Sequence, residues 1–166
     1  MSAWCSQKVI DLKSDVGEAI VNSLSTAGAE RNLEPNRETV QAWRRSVAIM
    51  VQAANYWMAK IEGASEWTIL FEYEVPRRSK RIDVVVLARD VIVAVEFKVG
   101  AVRFDRDARW QTEQYALDLR DFHKASRDRK IVPVLVATEA ESSNQLPVHV
   151  KTKQVSDVDC VSQVEL

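Results

Sequence analysis

Two runs of valine and isoleucine flank Arg89-Asp90 within Arg81–Gly100 (RIDVVVLARDVIVAVEFKVG), and they limit how this chain can fold more than any other feature. β-branched residues at this density favour a pleated, mostly buried sheet, and the short polar break predicts a tight hairpin. Asp83, Glu96 and Lys98 interrupt the apolar run. A charge in a buried strand is costly unless it is paired or neutralised. Alternation puts Val91, Val93, Val95 and Phe97 on one side of the strand, with Glu96 and Lys98 on the other. A hairpin brings Asp83 to the same end of the sheet. Two carboxylates and one ammonium on a rigid sheet make a candidate divalent-metal site.

The rest of the chain reads as the support for that stretch. At 166 residues it suits one domain with a real core. Charged residues make up 28% and hydrophobic ones 46%, as in an ordinary globular protein. No apolar run approaches the roughly 20 residues that span a bilayer. The N-terminus lacks the basic-then-apolar order of a secretory signal, so a cytoplasmic address without membrane partners is expected. Cys5 and Cys160 lie far apart, in no CxxC pair, and are expected as free thiols. His123 and His149 fit no metal-ligand spacing and are expected to be structural. A net charge of −1 means that any phosphate binding must come from local patches.

Residues 1–35 read as an N-terminal helical preamble, with Ser14 capping a helix over Asp15–Leu24 and a loop to Pro35. A long helix follows from the Asn36 cap to Gly63, its Val40, Trp43, Val47, Met50, Val51, Ala54 and Trp57 in steps of three and four. Strands are predicted over 67–75, 82–88 and 91–99, as an antiparallel meander. A second helix covers 105–124, and a buried strand covers 131–137, where Pro133 predicts an edge or bulged position. Pro147–Lys153 is a further candidate strand, and the last dozen residues are ambiguous. The prediction is an α/β core of order αβββαβ over residues 36–140, a mixed sheet flanked by helices with one parallel crossover. Residues 141–166 form a C-terminal strand and tail, a candidate junction to a further domain.

Asp83, 13 positions before Glu96, and the triplet Glu96-Phe97-Lys98 resemble the active-site signature of the PD-(D/E)XK nuclease superfamily, whose restriction-endonuclease-like core is also αβββαβ. Gln111 to Tyr115 is similar to the QxxxY motif of its RecB-like branch. The runs EYEVPRRSKRIDVVVL, VIVAVEFKVG, QYALDLRDFH and IVPVLVAT look closer to nuclease-like domains at the N-terminus of certain bacterial superfamily I DNA/RNA helicases. This resemblance spans roughly residues 37–140. Ile82 stands where the superfamily's name has proline. The first helix offers Gln41, Arg44, Arg45, Gln52 and Asn55 where many members carry an acid, which leaves Glu38 or Glu74 to complete the site.

The resemblance implies a Mg2+- or Mn2+-dependent nuclease, with DNA favoured over RNA. Asp83 and Glu96 would bind the metal, the Phe97 carbonyl would add a third oxygen, and Lys98 would assist the attacking water. Gln111 and Tyr115 would position these groups, and Glu74 or Glu38 would be the accessory acid. The basic run Arg77, Arg78, Lys80 and Arg81 would hold the phosphate backbone, with Arg103, Arg106 and Arg109 extending that surface. The second expectation is a nuclease-like fold that binds nucleic acid, or serves a helicase, without cutting. The chain has no GxxxxGK[ST] loop and hence no motor of its own, so a helicase domain would belong to a longer parent. A homodimer is a further expectation from relatives that cut two strands.

Overall fold

In the computed structural model, which describes residues 3–76, 78–141 and 155–162, the Arg89-Asp90 hairpin joins two strands at the centre of a sheet. These are β3 (Lys80–Ala88) and β4 (Val91–Lys98). Outside them lie β1 (Ala3–Lys8), β2 (Thr68–Val75), β5 (Lys130–Ala137) and β6 (Asp159–Ser162). The six strands pair in chain order, antiparallel from β1 to β4 and parallel from β4 through β6.

Three helices cover the sheet: α1 (Gly17–Glu30), α2 (Arg37–Lys60) and α3 (Arg106–Phe122). The apolar stripes of α1 and α2 bury Ile20, Leu24, Val47 and Met50 against Phe71, Val84, Val95 and Val136 on one face. On the other face, Tyr115, Ala116 and Leu119 of α3 pack on Ile82, Val85, Ile92, Ala94 and Ile131. The fold is thus α/β, a mixed sheet between helical layers. The connection β4–α3–β5 is its crossover between parallel neighbours.

The predicted helix after Asn36 is α2, and the Asn36 side chain accepts from Thr39 N–H at 2.8 Å. The N-terminal 35 residues are more than the expected helical preamble, because β1 pairs with β2 and α1 packs into the same core as α2. α1 also runs on to Glu30, past the expected end at Leu24, with Gly28 inside it. A side chain there would meet the Leu33 carbonyl oxygen at 2.9 Å and the Trp4 ring at 3.3 Å, so glycine serves close packing. β6 gives the ambiguous tail a strand, while the expected strand at Pro147–Lys153 lies outside the described residues.

Pro133 sits in β5 between β4 and β6, not at an edge. It falls where the outer ladder is irregular, between the Ile131–Val155 bridge and the Val134–Asp159 pair. Its missing N–H is tolerated at such a break. No described helix is long and apolar enough to cross a membrane.

Candidate active site

The β3–β4 ladder stops at the Val84–Val95 pair, although each strand stays paired on its other side. β3 remains with β2 as far as Lys80, and β4 remains with β5 as far as Lys98. The two central strands therefore fork. Asp83 sits in that fork, where its Oδ2 accepts the Phe97 N–H at 2.8 Å. A regular ladder would have offered a β3 carbonyl in that place. Because a strand residue's N–H and C=O point to the same side, the Phe97 carbonyl also faces the fork.

Glu96 and Lys98 project from β4 toward α3. Lys98 Nζ donates to Glu96 Oε1 at 2.9 Å and to Gln111 Oε1 at 3.1 Å. Gln111 Nε2 in turn donates to the Tyr115 hydroxyl at 2.7 Å. The four-residue spacing on α3 stacks Gln111 and Tyr115 along one face, so the motif forms a hydrogen-bonded chain ending on the lysine. Glu96 is 5% exposed, and its Oε2 is buried without a hydrogen-bond partner among the described residues.

Glu72 of β2 joins this group. It lies in the middle of a strand with φ of +51°, a left-handed conformation that costs a non-glycine residue about 1–3 kcal/mol. The consequence is a reversal of facing. Ile69 and Phe71 belong to the core under α1 and α2, whereas Tyr73 and Val75 belong to the core under α3. The turn of the backbone carries Glu72 onto the α2 side, where Trp43 Nε1 donates to its Oε1 at 2.8 Å. Its Oε2 pairs with Arg81, whose guanidinium lies over the Trp4 ring at 4.3 Å from the centroid.

These groups line one cleft of about 990 Å³ between α2, the forked strands and the start of α3, with Trp43, Glu72, Asp83, Glu96, Lys98 and Gln111 in its wall. Their protonation reflects crowding of like charge away from water. Burial, reinforced by the Asp83 charge, lifts the Glu96 carboxyl to about 8 against the pull of Lys98. The same two causes lift Glu72 to about 7, opposed by Arg81 and Trp43. Asp83 is raised by burial, against the Phe97 N–H, Lys98 and Arg81. Tyr115 is pushed up to about 12 by burial and by the Glu96 charge.

Several expected residues are placed elsewhere. Glu74 is outside the cleft lining. Its Oε1 accepts from Trp4 Nε1 at 2.8 Å and from Arg31 Nε at 3.1 Å. Expected as the accessory acid on regular strand alternation, it is turned away by the reversal at Glu72. Glu38 is exposed in the first turn of α2, also outside the lining. Arg78 and Lys80 pair with the buried Asp118 carboxylate on α3, at 3.2 Å and 3.4 Å. Of the basic run only Arg81 lines the cleft, and Arg77 lies outside the described residues. Arg103, just before α3, and Arg106, its first residue, line it, but Arg109 does not. His123 Nδ1 is 2.6 Å from the Ser126 hydroxyl, and His149 lies outside the described residues. Neither Cys5 nor Cys160 is in a disulfide.

Glu72 and the Trp43 N–H are the site residues that sequence reasoning missed. The one available signal was a glutamate inside an apolar strand, the same signal that marked Glu96. Among the described residues, no three His, Cys, Asp or Glu side chains are arranged to hold a metal ion together. Asp83 and Glu96 remain as a carboxylate pair with the Phe97 carbonyl beside them. A partnerless buried carboxylate oxygen on Glu96 fits a hard divalent cation, which takes one or two carboxylates and keeps several waters. Comparisons with protein families, with curated proteins and with solved structures find no match to this chain.

Proposed function

We propose that this chain is a metal-dependent phosphodiesterase that hydrolyses nucleic acid, DNA in preference to RNA, in the cytoplasm. The observation that carries this reading is the fork. It brings Asp83, the partnerless Glu96 Oε2 and the Lys98 ammonium to one open cleft at the end of a rigid sheet. The resemblance to PD-(D/E)XK nucleases includes the same three residues.

Asp83 and Glu96 would hold Mg2+ or Mn2+, with the Phe97 carbonyl as a third oxygen. What that ion supplies is polarisation of the scissile phosphate and a lowered pKa for a nearby water. Asp83 is locked by the Phe97 N–H, so it presents its other oxygen with little freedom to lose. Lys98, held between Glu96 and Gln111, orients the attacking water or meets charge developing on the phosphate. The Gln111–Tyr115 pair positions Lys98 and does not itself reach the reacting atoms.

The test is incubation with single- and double-stranded DNA and RNA, in Mg2+, Mn2+ or chelator, beside Glu96→Ala and Lys98→Ala. Metal-dependent cleavage that both substitutions abolish is the expected result. No cleavage of any substrate by folded protein would favour a module that binds without cutting. Cleavage that survives both substitutions would move the chemistry to another site.

A further inference from the structure

Glu72 is a cleft acid to which the proposed reaction gives no task. Its Oε1 is taken by Trp43 and its Oε2 by Arg81, so it is fully engaged where Glu96 is not. Arg81 is shared. It lies over Trp4 and pairs with Glu72, yet it lines the cleft and keeps 35% of its side chain exposed. Separately, the buried Glu96 Oε2 in the same wall marks a position that wants a positive ligand.

We infer that Glu72 is a third cation-binding carboxylate held in reserve by Arg81, released when a nucleic-acid phosphate takes the Arg81 guanidinium. This rests on the phosphodiesterase reading of the cleft. A guanidinium fork fits phosphate and carboxylate alike, so an arriving phosphate competes for the donors that now hold Glu72. A buried Glu72 deprived of its counter-charge needs a replacement, and a divalent cation beside Asp83 provides it. Cation and nucleic acid then bind with positive coupling, and the coupling is reciprocal.

The experiment is calorimetric titration of Mn2+ into the protein, with and without a nuclease-resistant phosphorothioate oligonucleotide. Anisotropy of the labelled oligonucleotide across Mn2+ concentrations supplies the reciprocal measurement. Wild type is expected to bind Mn2+ about tenfold more tightly with the oligonucleotide present. Glu72→Gln keeps an acceptor for Trp43 and should retain weak Mn2+ binding while losing the coupling. Arg81→Gln should do the opposite at the start: with Glu72 already free, it binds Mn2+ more tightly without oligonucleotide and gains nothing when it is added. That gain is not expected if Glu72 only anchors Arg81, and it is readable even if Glu72→Gln fails to fold. Independent binding in wild type, or coupling that survives in both variants, overturns this inference and leaves the phosphodiesterase reading intact. No Mn2+ binding by wild type overturns both.

Discussion

The Phe97 N–H donates to Asp83 Oδ2 at 2.8 Å, one residue past Val84 and two past Val95, the last paired residues of β3 and β4. A side chain thus does the work of a missing ladder carbonyl, and a single residue both closes the fork and faces the cleft.

The two roles of Asp83 separate by substitution. Asp83→Ala leaves a buried N–H unsatisfied, which costs about 1–3 kcal/mol. Asp83→Asn keeps a carbonyl oxygen for Phe97 but removes the charge. We expect the alanine variant to lower the unfolding midpoint and the asparagine variant to leave it close to wild type. Both should lose Mn2+ binding by calorimetry. Equal destabilisation by both would mean that the negative charge, and not the acceptor, secures the fork.

The raised carboxyls predict how stability changes with pH without metal. In the unfolded chain both glutamates titrate near 4.5, whereas folded Glu72 holds its proton to about 7 and Glu96 to about 8. Between those limits the folded state binds more protons, so stability is greatest below pH 4.5 for these groups and is lost as pH rises toward 8. Thermal unfolding in chelator should therefore show a lower midpoint at pH 8 than at pH 5.5. Glu96→Gln should flatten that dependence, and Mn2+ should restore most stability at the alkaline end. A wild-type profile no steeper than that of Glu96→Gln would contradict the buried, metal-waiting carboxylate.

Much of the candidate site's geometry was legible in the sequence. Asp83, Glu96 and Lys98 stood out because a period of two and an apolar surround leave a charge no ordinary reason to be there. Gln111 and Tyr115 were legible because four residues make one helical step along a face. Glu72 was not, since the left-handed turn that brings it to the cleft carries no glycine or asparagine to announce it. The same turn misled the expectation for Glu74. β1 was hidden for another reason: AWCSQK has weak alternation, and its paired residues in β2 lie 60 to 70 positions away. Arg78 and Lys80 are close to the site in sequence, but they pair with Asp118 on α3 outside the cleft.

Gln111 should matter to rate more than to cation affinity. It accepts from Lys98 and donates to Tyr115, touching neither carboxylate of the proposed metal pair. Gln111→Ala frees Lys98 to follow Glu96 alone, and losses for groups that orient a reactive side chain run to about 10–100-fold. Cleavage kinetics should show that loss with Mn2+ affinity unchanged. Tyr115→Phe removes only the far end of the chain and should cost less. A Tyr115→Phe defect larger than that of Gln111→Ala would give the hydroxyl a direct part in the chemistry.

Which basic groups would meet a phosphate backbone can be decided by salt dependence. Arg103 and Arg106 line the cleft, and Arg103 is 84% exposed with only a loose 3.5 Å contact to Asp105. Arg78 and Lys80 face away and neutralise Asp118, whose side chain is 6% exposed. Each phosphate contact contributes about one unit to the slope of log affinity against log salt. Replacing both Arg103 and Arg106 by alanine should therefore lower that slope by about two for a phosphorothioate oligonucleotide. Replacing Arg78 and Lys80 should leave the slope alone and instead lower the unfolding midpoint, since it strands a buried carboxylate. The reverse pattern would place the nucleic acid across the C-terminal half of α3, away from Asp83 and Glu96, and the cleft would lose its substrate.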